Sequence, residues 1–484
     1  MTIMANFEPC KHRTVCGGCK YNGMVYEETL AAKDKEVREC LCLHGVDLSC
    51  YKGVIPAKER SRYGYRNKME YTFGDLVKGG EMTLGMHKTG SFMSIITVDD
   101  CQLVADDFNV ILRRTLDFCI SNDYTHYHKK THEGLLRNLI VRKGMRTGEL
   151  LINIVTSSED GFDEIGFVKM ILSLKLEGTV VGILRTLNDR LADAVYCDKM
   201  KVLFGRNYYY EMINGLRFKV NAFSFFQTNV EAVERMYDDA VSLLKNINGK
   251  TLFDLYCGTG TISQIAAKSA AKVIGIELAA DSVEAAKANA ILNGIKNCEF
   301  ICGDVFETLD GVSEHPDVII VDPPRIGMRE KAVSRVASYG VPEIVYISCN
   351  PKTCAADLEH FISSGYEPVT IQAYDNFVWT RHVETVALLS KLNVDKHIDV
   401  EIKLDELDLT SAESKASYAQ IKEYILEKFD LKVSTLYIAQ IKKKCGIVLR
   451  EHYNKSKKEK QVIPQCTPEK EEAIMDALRH FKMI

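Results

Sequence analysis

The sequence predicts an α/β protein built around a Rossmann-like, doubly wound sheet, with a β-rich domain ahead of it and a small α+β extension behind. Three observations carry this prediction. From about Ala222 onward strand-like and helix-like runs alternate regularly. The run Thr251 to Leu255 breaks into the turn Cys257-Gly258-Thr259-Gly260 before a helix. Between Tyr63 and Tyr210 the runs are short, strand-like and separated by glycine turns. Regular strand–helix alternation means an open α/β sheet that holds ligands at the carboxyl ends of its strands.

The chain starts with a compact cysteine group, Cys10, Cys16 and Cys19, whose Gly17 and Gly18 leave the backbone free to wrap an inorganic core. Residues 24–44 follow with apolar side chains at helical spacing (Met24, Leu30, Ala31, Val37, Leu41). The β-rich stretch holds strand candidates at Met69 to Phe73, Leu150 to Val155 and Thr179 to Leu184, with helical pieces near 102–122 and 161–174. Beyond Ala222 a helix at 230–244 leads into the alternating pattern, whose strands end at Leu255, Ile276, Cys302, Val321 and Ser348. After Leu392 the chain turns polar. Two short helices, at 412–428 and 433–444, and a strand at 445–450 would suit a winged-helix-like module or a plain α+β extension. The expected division is 1–23, 24–60 (helical), 61–211 (β-rich), 212–392 (doubly wound) and 393–484.

Composition narrows the class. No run of 18 or more apolar residues occurs in the 484, which argues against a membrane span, and residues 1–10 lack a signal-peptide core, so a cytoplasmic location is expected. With 62 basic and 66 acidic residues the net charge is -4, so any nucleic-acid footprint must be local. Four basic clusters offer one, each equally readable as a solvated surface: Lys58 to Lys68, Arg137 to Arg146, Lys442 to Lys444, and Lys455 to Lys460. Sixteen cysteines without a secretion signal favour metal binding or chemistry over disulfides. Cys119, Cys197, Cys302 and Cys445 stand among apolar residues and read as packed thiols.

Carboxylates at the ends of four of these strands mark the expected ligand edge. Glu277 follows the strand after the glycine turn, where it can accept from a ribose diol, and Asp304 follows the next, near an adenine amine. Asp254 and Asp322 complete the row. Neither GxGxxG nor a P-loop lysine is present, which favours a nucleoside-type cofactor over a dinucleotide. Cys349, in Ser348-Cys349-Asn350-Pro351, is a candidate nucleophile, and Glu384, ahead of the apolar run Val386 to Leu389, a candidate base whose pKa burial would raise. A buried structural cysteine with a surface glutamate fits the spacing equally well. The pair matches what C5 chemistry on a pyrimidine needs: thiolate addition at C6 makes C5 nucleophilic, and a base must later remove the C5 proton. Phe225, Phe226 and Gln227 precede a helix and offer a stacking face, one of the two rings pointing inward. A fourth thiolate for the N-terminal group is open between Cys101, Cys40, Cys42 and Cys50, and the metal between iron–sulfur and zinc.

Six motifs in this order resemble the bacterial RNA uracil-C5 methyltransferase family, over residues 8–392: Cys10 to Cys19, Phe226-Gln227-Thr228-Asn229, Asp254 to Gly260, Asp322-Pro323-Pro324-Arg325, Ser348 to Pro351 and His382 to Thr385. The resemblance implies a class I S-adenosylmethionine-dependent methyltransferase domain and a central RNA-binding domain. It is nearest to the branch that carries a 4Fe-4S cluster and methylates 23S rRNA. It implies Cys349 as nucleophile, Glu384 as base, and Gln227, Tyr256, Glu277 and Asp322 at the cofactor. Phe225, with Asp322, falls at the target base, and Cys10, Cys16, Cys19 and Cys101 at the cluster. It further implies action on rRNA before ribosome assembly is complete, by a monomer. A tRNA substrate, or a non-catalytic RNA-binding metalloprotein, is the alternative. The small RNA-binding barrel of many relatives is not found in this sequence; the basic C-terminal residues are expected to stand in for it.

Overall fold

A computed structural model describes residues 8–192, 195–309, 311–392, 418–429, 431, 433, 435–445 and 468–481. The chain divides into two compact units, Met1–Val394 and Asp395–Ile484.

In the first unit the helix Tyr26–Leu43 leads into β1 (Tyr51–Ile55). The β-rich part then contributes β2 (Lys68–Asp75), β3 (Met82–His87), β4 (Ile95–Thr97), β5 (Leu136–Lys143), β6 (Glu149–Thr156), β7 (Thr179–Leu187) and β8 (Lys199–Gly205). They form one seven-stranded sheet in the order β4-β3-β2-β5-β6-β7-β8. Every pairing is antiparallel except β6 with β7, between which the helix Glu164–Leu172 makes the crossover that parallel strands require. That helix and Asp106–Ser121 cover the sheet through Phe108, Ile111, Leu112, Phe167 and Ile171, all fully buried. The hairpin β9 (Tyr208–Ile213) and β10 (Leu216–Asn221) follows.

The doubly wound part adds β11 (Thr251–Leu255), β12 (Lys272–Glu277), β13 (Cys298–Cys302), β14 (Val318–Val321), β15 (Glu343–Ser348), β16 (Tyr366–Tyr374) and β17 (Glu384–Lys391). With β1 they make an eight-stranded sheet, β1-β16-β17-β15-β14-β11-β12-β13. β17 runs antiparallel between β15 and β16, and the other pairings are parallel. The central strands are apolar on both faces because helices cover both: β14 and the buried part of β15 carry Val318 to Val321 and Ile344 to Ile347 at 1% exposure or less. β1 shows that the segment expected to be helical over 24–60 also supplies an edge strand, parallel to β16.

The cysteine segment corrects the prediction of an iron–sulfur or zinc site. Among the described residues no group of three or more His, Cys, Asp and Glu side chains is placed to hold a metal ion. Cys10, Cys16, Cys19 and Cys101 are half-buried and share a neighbourhood, and burial pushes the Cys19 thiol up to about 12 and the Cys101 thiol to about 11. The segment is instead held by main-chain bonds to the β-rich part, from Gly17 N to His87 O (3.1 Å) and Thr89 N to Val15 O (2.8 Å), and by Lys11 and His12 on Asp99. The fold is a Rossmann-like core with a β-rich accessory domain, and no N-terminal cluster segment is seen among the described residues.

Other expectations shift as well. Cys119 is buried, but Cys197 and Cys302 are exposed and Cys445 is half-exposed. The cluster Arg137, Arg142 and Lys143 is buried: Arg137 donates to Asn188 O and Ala192 O, Arg142 to Ser224 O, and Lys143 pairs with Asp107 at 2.6 Å. These cations brace the sheet and do not face solvent. In the second unit the helices Tyr418–Phe429, Thr435–Lys444 and Pro468–His480 share a core of Ile421, Ile425, Ile438, Ile441, Ile474 and Leu478. Lys442 is buried there and Lys444 pairs with Glu471, so neither is a free cation for RNA. Residues 446–450 of the expected strand and the cluster Lys455 to Lys460 lie outside the described residues.

Candidate active site

The glycine turn is a backbone requirement. Tyr256, Gly258 and Gly260 all have positive φ (63°, 53° and 74°), and a Cβ on Gly260 would stand 2.7 Å from the Phe300 ring. The turn leaves Gly258 N on Glu277 Oε2 at 3.1 Å, while Glu277 Oε1 accepts from Ala279 N at 2.9 Å. Glu277 is thereby fixed at the end of β12.

Two loops carry the chemistry. Asn350 caps the helix Pro351–Ser363, accepting from Lys352 N at 3.2 Å, and Pro351 takes a first-turn position where its missing N–H costs nothing. Ser-Cys-Asn-Pro is thus a strand end, a half-buried corner and a helix start, with Cys349 at the corner. Asn350 Nδ2 also donates to Arg325 O (3.1 Å), tying this loop to Asp322-Pro323-Pro324-Arg325 at the end of β14. On the opposite side Asn229 caps the helix Val230–Leu243 and donates to Asn376 O, while Asn67 from the β-rich part holds Gln227 O at 2.9 Å. The loop so held buries Phe226 and leaves Phe225 72% exposed.

Register brings the thiol and the carboxyl together. In the antiparallel β15–β17 pair the register ends with Ser348 opposite Thr385; Cys349 follows Ser348 and Glu384 precedes Thr385, so both stand at this end of the pair.

A cavity of about 870 Å³ opens over these elements. Phe225, Gln227, Tyr256, Glu277, Asp304, Asp322, Cys349 and Glu384 all line it, so the structure gathers every candidate cofactor, substrate and chemical residue outside the cysteine segment. Asp254 does not: it is fully buried beneath, accepting from Ser263 Oγ. Three further wall residues are Arg66, from the basic cluster Lys58 to Lys68, and Arg325 and His382, motif residues to which the sequence assigned no individual role. The contact between His382 and Arg325 is visible only in three dimensions.

The acids of this site are held protonated more easily than usual. Burial pushes Asp254 and Asp322 up to about 7, helped by each other's neighbours: Glu277 for Asp254, and Asp254 for Asp322. Glu384 rises to about 8 through burial and then Asp322, opposed by Arg325. Cys349 rises to about 11 through burial, then Glu384 and Asp322, again opposed by Arg325. Arg325 Nη2 lies 2.8 Å from His382 Nδ1. A guanidinium only donates, so Nδ1 accepts and the His382 proton sits on Nε2. Burial and Arg325 lower the His382 pKa, consistent with a neutral ring.

The residues present fit S-adenosylmethionine: a glycine turn that lets a ligand approach the backbone, a fixed carboxylate at the next strand end, and Asp322 at the strand end beside it.

Residues 193–392 match the tRNA (Uracil-5-)-methyltransferase family. An uncharacterized RNA methyltransferase of Clostridium acetobutylicum is 46% identical over 382 residues, 79% of this chain and 83% of that one. Another, of Caldanaerobacter subterraneus subsp. tengcongensis, is 45% identical over 387 residues, 79% and 84% of the two chains. The Pyrococcus abyssi tRNA (uracil-54, C5)-methyltransferase, solved in complex with S-adenosyl-L-homocysteine, superposes with a TM-score of 0.62 at 25% identity, covering 76% of this chain and 84% of that one. The chain belongs to the RNA methyltransferase family, as an S-adenosylmethionine-dependent enzyme with the uracil-C5 methyltransferase fold.

Proposed function

We propose that the chain methylates C5 of a uridine in RNA through a covalent intermediate on Cys349. The observation that carries this reading is that Cys349, just after β15, and Glu384, which opens β17, line the same cavity as the glycine turn, close enough for the Glu384 charge to raise the Cys349 thiol. Gln227, Tyr256, Glu277, Asp304 and Asp322 hold S-adenosylmethionine, which supplies the methyl group. Phe225, exposed in the cavity wall, stacks on the target base.

Cys349 loses its proton to solvent and its thiolate adds to C6, moving the C5–C6 electron pair toward C5 and the C4 carbonyl oxygen. His382, neutral with its proton on Nε2, donates to the pyrimidine oxygen on which charge collects, as a preorganised donor does at a developing oxyanion. Arg325 favours the anionic forms of both Cys349 and Glu384. Once C5 bears the methyl group, the Glu384 carboxylate removes the C5 proton, the C5–C6 double bond re-forms and the Cys349 thiolate leaves.

For the RNA, tRNA is the class the comparisons support, since both the matched family and the Pyrococcus abyssi enzyme carry that substrate in their names. The case for 23S rRNA rested on the cluster that the cysteine segment does not form. Incubating the protein with methyl-labelled S-adenosylmethionine and either tRNA transcripts or 23S rRNA fragments, then analysing nucleosides by mass spectrometry, tests both levels. The reading expects 5-methyluridine in tRNA. Label in 23S rRNA alone overturns the substrate class, and label on any other nucleoside overturns the chemistry.

A further inference from the structure

A second cavity, of about 190 Å³, lies on the β-rich sheet and shares no wall residue with the first. Its floor is the end of β2, where Asp75 stands 4.0 Å from His126 Nε2. Lys78, Lys129 and Lys130 line it together with Asp75. The two loops that form the walls are tied together by Lys129 Nζ on Phe92 O at 3.4 Å. Phe92, beside the wall residue Met93, is 89% exposed, an aromatic ring held in solvent next to a cationic cleft.

We infer that this cavity is a binding site for one unpaired nucleotide of the RNA substrate, apart from the uridine to be methylated. Cations lining a cavity suit a phosphate, and an exposed ring suits a base, which stacks on it irrespective of sequence. Asp75 and His126 at the floor add an acceptor and an imidazole for the edge of a base that has left its helix. A protein partner would need a broad apolar surface, whereas the cleft is narrow and charged. The basic residues buried in this same sheet, Arg137, Arg142 and Lys143, are spent on internal contacts, and none of them lines this cavity.

The inference rests on the proposed RNA substrate but not on the chemistry, so the test reads binding directly. A tRNA transcript is titrated against the full chain by filter binding over a range of salt. The K129E/K130E variant is expected to bind at least about tenfold more weakly, with a log–log salt slope shallower by about two. Phe92→Ala is expected to bind about fivefold more weakly with the slope unchanged, as loss of stacking requires. S-adenosylmethionine affinity, measured on the same preparations, should be unaltered and so reports that the variants are folded. Wild-type affinity in both variants overturns the inference. So does a loss confined to K129E/K130E, which would mean a phosphate track without a base pocket. If the wild-type chain methylates no RNA yet both variants lose affinity, the proposed chemistry fails and the pocket stands.

Discussion

The acids around the cavity make the affinity for S-adenosylmethionine depend on pH in a way that its demethylated product should not share. Asp322, at about 7, is close to ten-to-one protonated at pH 6 and ten-to-one ionised at pH 8. If its carboxylate faces the sulfonium, the cation selects the ionised form, and binding releases a proton wherever the empty site holds one. For one group at about 7 the affinity improves about tenfold from pH 6 to pH 8, about 1.4 kcal/mol. Glu384, at about 8, extends the rise above pH 8. S-adenosylhomocysteine keeps the same amino acid and nucleoside but has a neutral sulfur, so the titrations of the methionine moiety cancel in the comparison. Calorimetric titration of both ligands at several pH values, in buffers of different ionisation enthalpy, reads affinity and proton release together. A flat profile for S-adenosylmethionine, or an equal rise for S-adenosylhomocysteine, would refute the placement of Asp322 beside the sulfonium.

Three further outcomes follow from the same geometry. Glu384→Gln should add to RNA and transfer the methyl group but not release the product, lowering turnover by about 10²–10⁴-fold while a methylated RNA–protein adduct accumulates on denaturing gels; turnover within a few-fold of wild type would remove Glu384 from the base role. The stability of the ligand-free protein should fall with rising pH. A carboxyl raised from 4.5 to about 8 contributes stability that is whole below about pH 4.5 and is lost as pH climbs to its folded value, so Glu384→Gln should flatten the decline in Tm between pH 6 and 9. Lys33 and Asp375 form an ion pair with both side chains fully buried, joined by Tyr26 OH on Asp375 at 2.8 Å and by Lys33 Nζ on Phe377 O at 3.1 Å. Lys33→Ala strands the carboxylate and should cost about 3–5 kcal/mol in denaturant unfolding, whereas an unchanged midpoint would mean that water reaches the pair.

The Rossmann-like core was legible because its causes are local. The glycines of the Asp254 to Gly260 turn, the apolar runs of β11, β12, β14 and β15, and the caps at Asn229 and Asn350 each act within a few residues of themselves. The β-rich accessory domain showed for the same reason, through short strands and turn glycines. What depends on long-range packing was hidden. Nothing near Tyr51–Ile55 announces an edge strand whose partner is β16, more than 300 residues away. The burial of Arg142 and Lys143 depends on Ser224 O and Asp107, from other elements, so their charge read as surface. Cys10, Cys16, Cys19 and Cys101 have metal-like spacing, but spacing does not decide whether side chains form a ligand set, and among the described residues no such group is placed to hold a metal ion. In the cavity the individual motifs were readable, yet bringing Cys349 and Glu384 to one cavity required the antiparallel insertion of β17, and the state of His382 required Arg325 from a different strand end.

The central claim is that Cys349 forms a bond to the target uridine. A 5-fluorouridine-substituted RNA cannot lose its C5 substituent to Glu384, so addition and methyl transfer would leave it attached to the protein. Peptide mass spectrometry after incubation with S-adenosylmethionine should find the methylated fluorouridine on the peptide containing Cys349, and no adduct in Cys349→Ala. An adduct that persists in Cys349→Ala, or methylated RNA released with no covalent species in the wild-type chain, would contradict the account.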